Sequence, residues 1–333
     1  MPSTEIHGLV AEPQAPSHPY RLFLLKAGLG VAMITFLVSH FNARPALKAL
    51  AHERLDFFLA AFLLYAAGQL ISAYRWSTLA RVMRLHARYR EFLAYVFVGL
   101  FTNLFVPGLV GGDATRAFYL GRRHHRMADA IASTLADRGY GLAALFWIAA
   151  IAALSFRNTL TKSVTRPTIL VGLVVLAGYL ASPLVARLGH VGPRFVRRAV
   201  GAIDPYLRRP SSALPAIGLS LILQALLAVC QYLLALGLGL HIPLALFLII
   251  VPIANVFASL PITLNGLGVR EPTYMLLFGF AGVGHTDAIA LGLLWFVATM
   301  LGGLLGVIPF VTVKLPAPTP KTTDETARSE ARP

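Results

Sequence analysis

The chain has 333 residues, of which 57% are hydrophobic and only 13% charged. An average soluble domain carries about 25% charged residues, so a soluble globule of this size is excluded, as are a disordered chain and, with the single Cys230, a disulfide scaffold. The formal charge of +15 would suggest nucleic acid in a soluble protein, but most of the arginines lie in short loops between apolar blocks. There they set orientation and meet anionic headgroups, and no aromatic–basic platform for nucleic acid accompanies them.

The apolar blocks are 22–39, 57–72, 168–186, 214–240 and 289–313. Spanning the hydrocarbon core takes about 20 mostly apolar residues, so the fold class is all-α, a polytopic helical membrane bundle. The division expected is a polar N-terminal segment, 1–20, one membrane domain, 21–313, and a polar, disordered tail, 314–333. No small-residue cleavage site follows the first block, which reads as a retained helix.

Orientation follows the basic loops. Residues 75–91 hold five arginines and residues 187–209 hold six, whereas 44–54 and 157–166 hold three basic residues each. The first two loops, with both termini, are expected in the cytoplasm of an inner (plasma) membrane protein.

Residues 92–119 break the alternation. Their apolar part is flanked on both sides by cytoplasm-seeking arginines and carries Pro107, Gly108, Gly111 and Gly112. Non-helical backbone at membrane depth survives only when buried in protein or lining a wet cavity. The segment reads as a re-entrant hairpin. Residues 243–283 read as a second one, with Pro261 through Pro272 at its turn. Shifted by 154 places, Pro107, Gly112 and Arg116 fall on Pro261, Gly266 and Arg270. With three spans between them the second hairpin would be inverted, and inverted repeats with broken helices are a recurring transporter design.

Polar groups inside a membrane are costly and become default functional candidates. The first group is Asn103, Pro107, Gly111, Gly112, Asp113 and Arg116. Here Asp113 is expected to cap a helix start, which would aim free N–H groups and Arg116 at a phosphate or carboxylate. The second is Asn265, Gly266, Arg270 and Glu271, with Asn255 and Pro261 nearby and Pro272 expected at a first helical position. The third is Asp137-Arg138, whose side chains do not face each other on a helix; partners such as Arg270 or Arg116 are expected for Asp137, in a role as readily structural as functional. Gln69, Gln224 and Gln231 read as interhelical hydrogen-bond formers, Arg75-Trp76 as an interfacial anchor, and His124-His125 as solvated. No metal spacing and no nucleotide-binding loop is present, so no cofactor is expected.

At these places the chain resembles a known family. Pro107-Gly-Leu-Val-Gly-Gly-Asp-Ala-Thr-Arg116 and Pro261-Ile-Thr-Leu-Asn-Gly-Leu-Gly-Val-Arg-Glu271 are similar to the two signatures of the flippase-like, lysylphosphatidylglycerol synthase transmembrane family, over roughly residues 21–313. Tyr74-Arg-Trp76 and Asp137-Arg138 also fit its pattern. Asp113 stands where the first signature often has Glu, which keeps the charge. The resemblance implies a protein that translocates lipids or lipid-linked groups. Aminoacyl transfer in fused members of the family resides in a separate soluble domain, and 20 residues follow Val313, so this chain is not expected to make lysylphosphatidylglycerol by itself. The expectation is a flippase for an anionic lipid or a polyprenyl-phosphate-linked sugar, with membrane lipids as partners. The alternatives are a glycosyltransferase-type membrane enzyme with a lipid-phosphate donor and a non-transporting scaffold.

Overall fold

The computed structural model describes residues 53–105, 110–157, 162–189, 214–258 and 269–313, with 51, 201 and 204–206. The first apolar block, the polar tail, both hairpin tips and the expected site residues Pro107, Asn265 and Gly266 lie outside the described residues.

The described chain is an all-α bundle. Four stretches are long and apolar enough to cross a membrane: α1 (Leu55–Val82), α4 (Met127–Ser155), α7 (Leu214–Gly237) and the α10–α11 unit (His285–Leu304 and Val307–Thr312). Between them lie α2 (Tyr89–Thr102), α3 (Val110–His124), α5 (Lys162–Leu180), α6 (Ser182–Gly189), α8 (Leu244–Ala258) and α9 (Arg270–Gly279). Leu59, Leu63 and Leu70 of α1 and Leu170, Leu173 and Val174 of α5 are exposed. That outward apolar surface belongs against lipid tails, since the polar atoms are drawn inward.

Local chemistry sets where the helices stop. α1 carries Asp56 in its first turn and Arg81 in its last, complementing the helix dipole. It ends where Arg84 takes a φ of 56° and the Leu85 N–H donates back to the Ala80 carbonyl at 3.0 Å. α7 ends the same way on Gly239, at φ 76°, with Leu240 N–H on Ala235 O at 2.8 Å; this is the six-to-one closure of a left-handed cap. The 168–186 block is not one helix. α5 stops at Leu180, and α6 restarts with Pro183 in its first turn, where a missing N–H costs nothing. The apolar part of α5, Thr165–Leu180, reaches about 24 Å at 1.5 Å per residue, short of the hydrocarbon core's roughly 30 Å. An inverted second hairpin depends on this helix crossing.

α1 and α7 are antiparallel. The Arg54 N–H donates to the Gly237 carbonyl at 3.3 Å, while Arg75, at the other end of α1, reaches Ser220 near the start of α7. Glu53 lies directly over Gly237, where the space a Cβ would take is filled by the Glu53 carboxyl.

α2 and α3 form an antiparallel helical pair. Glu91 at the start of α2 pairs with Arg123 at the end of α3, and Gly99 and Asn103 at the end of α2 meet Gly112 at the start of α3. The helices have 14 and 15 residues, about 21 and 23 Å, too short to cross singly. α8 and α9 pair likewise, with the Phe247 and Phe278 rings 5.1 Å apart.

Two expected helix starts are corrected. α3 begins at Val110, so Asp113 lies inside the first turn rather than at the cap. Its carboxylate is occupied by arginines, and the Gly112 N–H goes to Asn103 Oδ1 at 2.6 Å instead. α9 begins at Arg270, so Arg270 and Glu271 are its first two residues and Pro272 its third. All three positions leave N–H groups without helical partners, so the proline is tolerated there. Arg116 is thus well inside its helix and Arg270 at the start of its own, and the 154-residue correspondence does not extend to helix position.

Candidate functional site

A cavity of about 280 Å³ opens between α1, α2, α3, α4, α7, α8, α9 and α10. Of the residues expected to bind substrate, it is lined by Asn103, Gly112, Asp113, Arg116, Asp137, Arg138 and Arg270. Gly111 and Glu271 are described but do not line it; Glu271 packs instead against Gly292 of α10.

On one side five charged side chains alternate in sign. Arg75 Nε donates to Asp137 Oδ1 at 2.8 Å. Arg116 Nη1 reaches Asp137 Oδ2 at 3.4 Å, and Arg116 Nη2 donates to Asp113 Oδ1 at 2.5 Å. Arg138 pairs with the second oxygen of Asp113. Arg75 Nη1 also donates to Ser220 Oγ at 3.1 Å, and the Arg116 guanidinium lies over the Trp76 ring, 5.0 Å from its centroid. Burying charges singly would cost several kcal/mol each; alternation lets each carboxylate serve two guanidinia. The network joins α1, α3 and α4, and holds one positive charge in excess.

Asp137 and Arg138 therefore do have separate partners. Of those expected for Asp137, the structure supplies Arg116 and not Arg270. It adds Arg75, which is buried and is no interfacial anchor. The sequence did carry a signal for this, since no charged residue follows Arg75 until Arg81; in the structure Arg75 stands inside α1, seven residues or about 10 Å before its end, and Trp76 beside it is fully buried.

Arg270 is different. It is 5% exposed, it lines the cavity, and its Nε and Nη1 have no hydrogen-bond partner among the described residues. Glu271, Tyr274 and Tyr65 are its electrostatic neighbours. Tyr65 packs edge-on against Trp295 at 5.5 Å. It precedes Arg75 by ten residues, about 15 Å along α1, so Arg270 sits at a different level of the cavity from the five-residue network. Between the two levels lie Gln69, which donates to its own helix at Tyr65 O, 3.4 Å away, and Gln224, which reaches across to Gly141 O of α4 at 3.5 Å. Gln231 also bonds between helices, accepting from the Tyr274 hydroxyl. No cluster of metal-ligating side chains occurs among the described residues.

The family profile described as the lysylphosphatidylglycerol synthase TM region matches residues 23–306, which includes every helix lining the cavity. The chain belongs to that family. A lysylphosphatidylglycerol synthase TM region is a membrane body, and the four span-length helices make this chain a multi-pass membrane protein. A 113-residue stretch is also 26% identical to a UPF0104 membrane protein of Pyrococcus horikoshii, covering 33% of this chain and 34% of that protein. The match thus spans about a third of the relative's length.

Proposed function

We propose that this member of the lysylphosphatidylglycerol synthase TM region family is a transporter, a flippase for an anionic lipid or a polyprenyl-phosphate-linked sugar in the inner membrane, with its basic loops in the cytoplasm. The observation that carries the reading is Arg270. A guanidinium held in a cavity at membrane depth, with two donors that have no partner among the described residues, has a large desolvation cost, and an anionic headgroup entering the cavity offsets it with charge-assisted hydrogen bonds. The lining carries four arginines against two aspartates, an excess of two positive charges that suits a phosphate.

In this reading the α2–α3 and α8–α9 pairs are the two hairpins, the headgroup passes between them, and the acyl or prenyl tails stay in lipid. The reading assigns substrate-binding roles to Asn103, Gly112, Asp113, Arg116, Asp137, Arg138 and Arg270 around the cavity, with Gly111 and Glu271 at the starts of α3 and α9 and, by their place in the sequence, Pro107, Asn265 and Gly266. Both aspartates are engaged by arginines and neither is placed as a general base, which favours transport over lipid-linked glycosyl transfer. The test is headgroup-resolved translocation in proteoliposomes. Translocation of an anionic lipid by the wild type and its loss in Arg270→Gln is the expected result, and equal rates in protein-free vesicles would overturn the reading.

A further inference from the structure

The two carboxylates of the charged network are not equivalent. Asp137, with 3% of its side chain exposed, joins Arg75 of α1 to Arg116 of α3 from its place on α4. Asp113, with 23% of its side chain exposed, lies at the cavity wall and faces Arg116 and Arg138, the latter 28% exposed. It stands in the first turn of α3, where the helix dipole favours a negative charge whether or not an arginine is near. Asp113 can therefore leave its arginines at a smaller cost than Asp137 can.

The grip on Asp113 is that of a filled anion site. Arg116 Nη2 donates to one carboxylate oxygen at 2.5 Å, and Arg138 pairs with the other. A phosphate diester offers the same features, one negative charge shared over two oxygens that accept charge-assisted hydrogen bonds. Exchange of carboxylate for phosphate keeps both guanidinia paired. Departure of the phosphate with nothing to replace it would leave two arginines uncompensated at membrane depth, a costly state.

The charges of the site fit one phosphate. Arg75, Arg116, Arg138 and Arg270 line the cavity with Asp113 and Asp137, and Glu271 neighbours Arg270. Four arginines against three carboxylates leave one positive charge in excess, which a phosphate diester neutralises. Arg270 is the open position, since its Nε and Nη1 have no hydrogen-bond partner among the described residues. The Arg116–Arg138 pair, about 15 Å away along α1, is the occupied one.

We propose that Asp113 is an internal competitor for the substrate's phosphate. It fills the Arg116–Arg138 pair in the empty protein, yields it to the phosphate, and takes it back as the phosphate leaves. Arg270 on α9 and the Arg116–Arg138 pair on α3 and α4 are then two stations for one phosphate, and Asp113 sets the affinity of the second. This rests on the anionic-lipid transport reading and deepens it. An Asp113 that only braces the bundle predicts weaker or unchanged phosphate binding when its charge is removed; a competitor predicts tighter binding.

The experiment measures binding and movement separately. The wild type, Asp113→Asn and Asp113→Ala are titrated in detergent by thermal shift with phosphatidylglycerol and with inorganic phosphate, against sodium chloride of equal ionic strength. The same series is made on Arg270→Gln, which silences the other station. In both backgrounds Asp113→Asn is expected to bind phosphatidylglycerol about tenfold tighter or more, because charge-assisted bonds are no longer contested. A gain with both probes shows that phosphate alone is recognised, and a gain with the lipid alone shows that the tails place it; either supports the exchange. Adding Arg138→Gln should abolish the gain. Equal or weaker binding by Asp113→Asn, or a gain that survives Arg138→Gln, overturns the proposal. Where a variant melts too low to titrate, it is purified with phosphatidylglycerol and with diacylglycerol, which lacks the phosphate. Recovery of folded protein with phosphatidylglycerol alone supports the exchange, and equal recovery overturns it. In proteoliposomes, translocation by the wild type without the binding gain ends the exchange and leaves transport standing. The gain without any translocation ends the transport reading and leaves the exchange standing.

Discussion

Arg75 and Asp137 are 62 residues apart in the chain, and their side chains meet at 2.8 Å in the interior of the bundle. That pair fastens α1 to α4, and through the second carboxylate oxygen it holds Arg116 of α3 beside the cavity. Removing one partner leaves a buried charge uncompensated, which costs roughly 3–5 kcal/mol. Arg75→Gln and Asp137→Asn are each expected to lower the melting temperature of the solubilised protein sharply. The double variant should be less destabilised than the two losses added together, because contacting residues couple. Strict additivity in that double-mutant cycle would mean that the pair carries no interaction energy.

The α2–α3 pair depends on one close approach. A Cβ on Gly112 would run into the Gly99 carbonyl oxygen and the Asn103 amide, the same amide that accepts the Gly112 N–H. Gly112→Ala is therefore expected to destabilise by about 1–3 kcal/mol, the usual cost of overpacking. Gly139 of α4 has nothing within 4 Å of its Cβ position, so Gly139→Ala should be neutral or stabilising by up to about 1 kcal/mol. Thermal melting of the two variants side by side separates the contact from helix propensity; equal effects would remove the close-approach argument.

The bundle was legible because apolar blocks and basic loops follow directly from burial in lipid. Most of the candidate site was legible for the same reason, since charges such as Asp113, Arg116, Asp137 and Arg270 inside apolar surroundings stand out. Pairings were not. Asp137 could have reached several arginines, and which one it meets depends on how α1 and α4 pack, set by contacts such as the buried Trp76 indole, whose N–H donates to Ser133 Oγ of α4 at 3.4 Å. Arg75 was misplaced because its closeness to a basic loop outweighed its position within the helix. The Asp113 cap failed because propensity names a residue able to cap, while Asn103, at the end of α2 and nine residues before Gly112, supplied the acceptor.

The Glu91–Arg123 pair puts the start of α2 and the end of α3 at the same end of the bundle. Arg90→Cys and Arg122→Cys, both at exposed positions, should be labelled from the same face of the membrane in a Cys230→Ala background. Membrane-impermeant maleimide on inside-out and right-side-out vesicles makes the distinction. Labelling from opposite faces would end the re-entrant reading of this segment.

Glu53 introduces a pH dependence at the start of α1. Its carboxyl is buried against Gly237 at the end of α7, with no hydrogen-bond partner for either oxygen among the described residues. Burial, and then the neighbouring Asp56 charge, push its pKa up to about 7 from an ordinary 4.5. A group whose folded pKa is raised stabilises the protein fully below the unfolded value and loses that contribution as pH rises through the folded value. Stability should therefore fall between about pH 5 and pH 8, by roughly 3 kcal/mol at most, since each pKa unit is worth about 1.4 kcal/mol. Glu53→Gln should flatten this part of the profile, and a melting temperature in that variant as pH-dependent as in the wild type would assign the effect elsewhere.

Arg270 separates a binding role from a structural one. Arg75, Arg116 and Arg138 are each held in ion pairs, so their removal perturbs folding and function together. Arg270 is buried at the start of α9, its Nε and Nη1 have no hydrogen-bond partner among the described residues, and removing it relieves a desolvation cost without breaking a hydrogen-bonded ion pair among those residues. Arg270→Gln is expected to melt at or above the wild-type temperature while translocating an anionic lipid poorly. The loss of a charged hydrogen bond is worth about 1.5–3 kcal/mol, roughly tenfold to a hundredfold or more in affinity. Arg270→Lys should recover part of the rate, because it keeps the charge but lacks the two-pronged donor geometry. The two measurements are made on the same preparations, melting in detergent and translocation after reconstitution. A variant that is as fast as wild type, or one whose rate falls only in proportion to its lost stability, would show that Arg270 does not hold the headgroup.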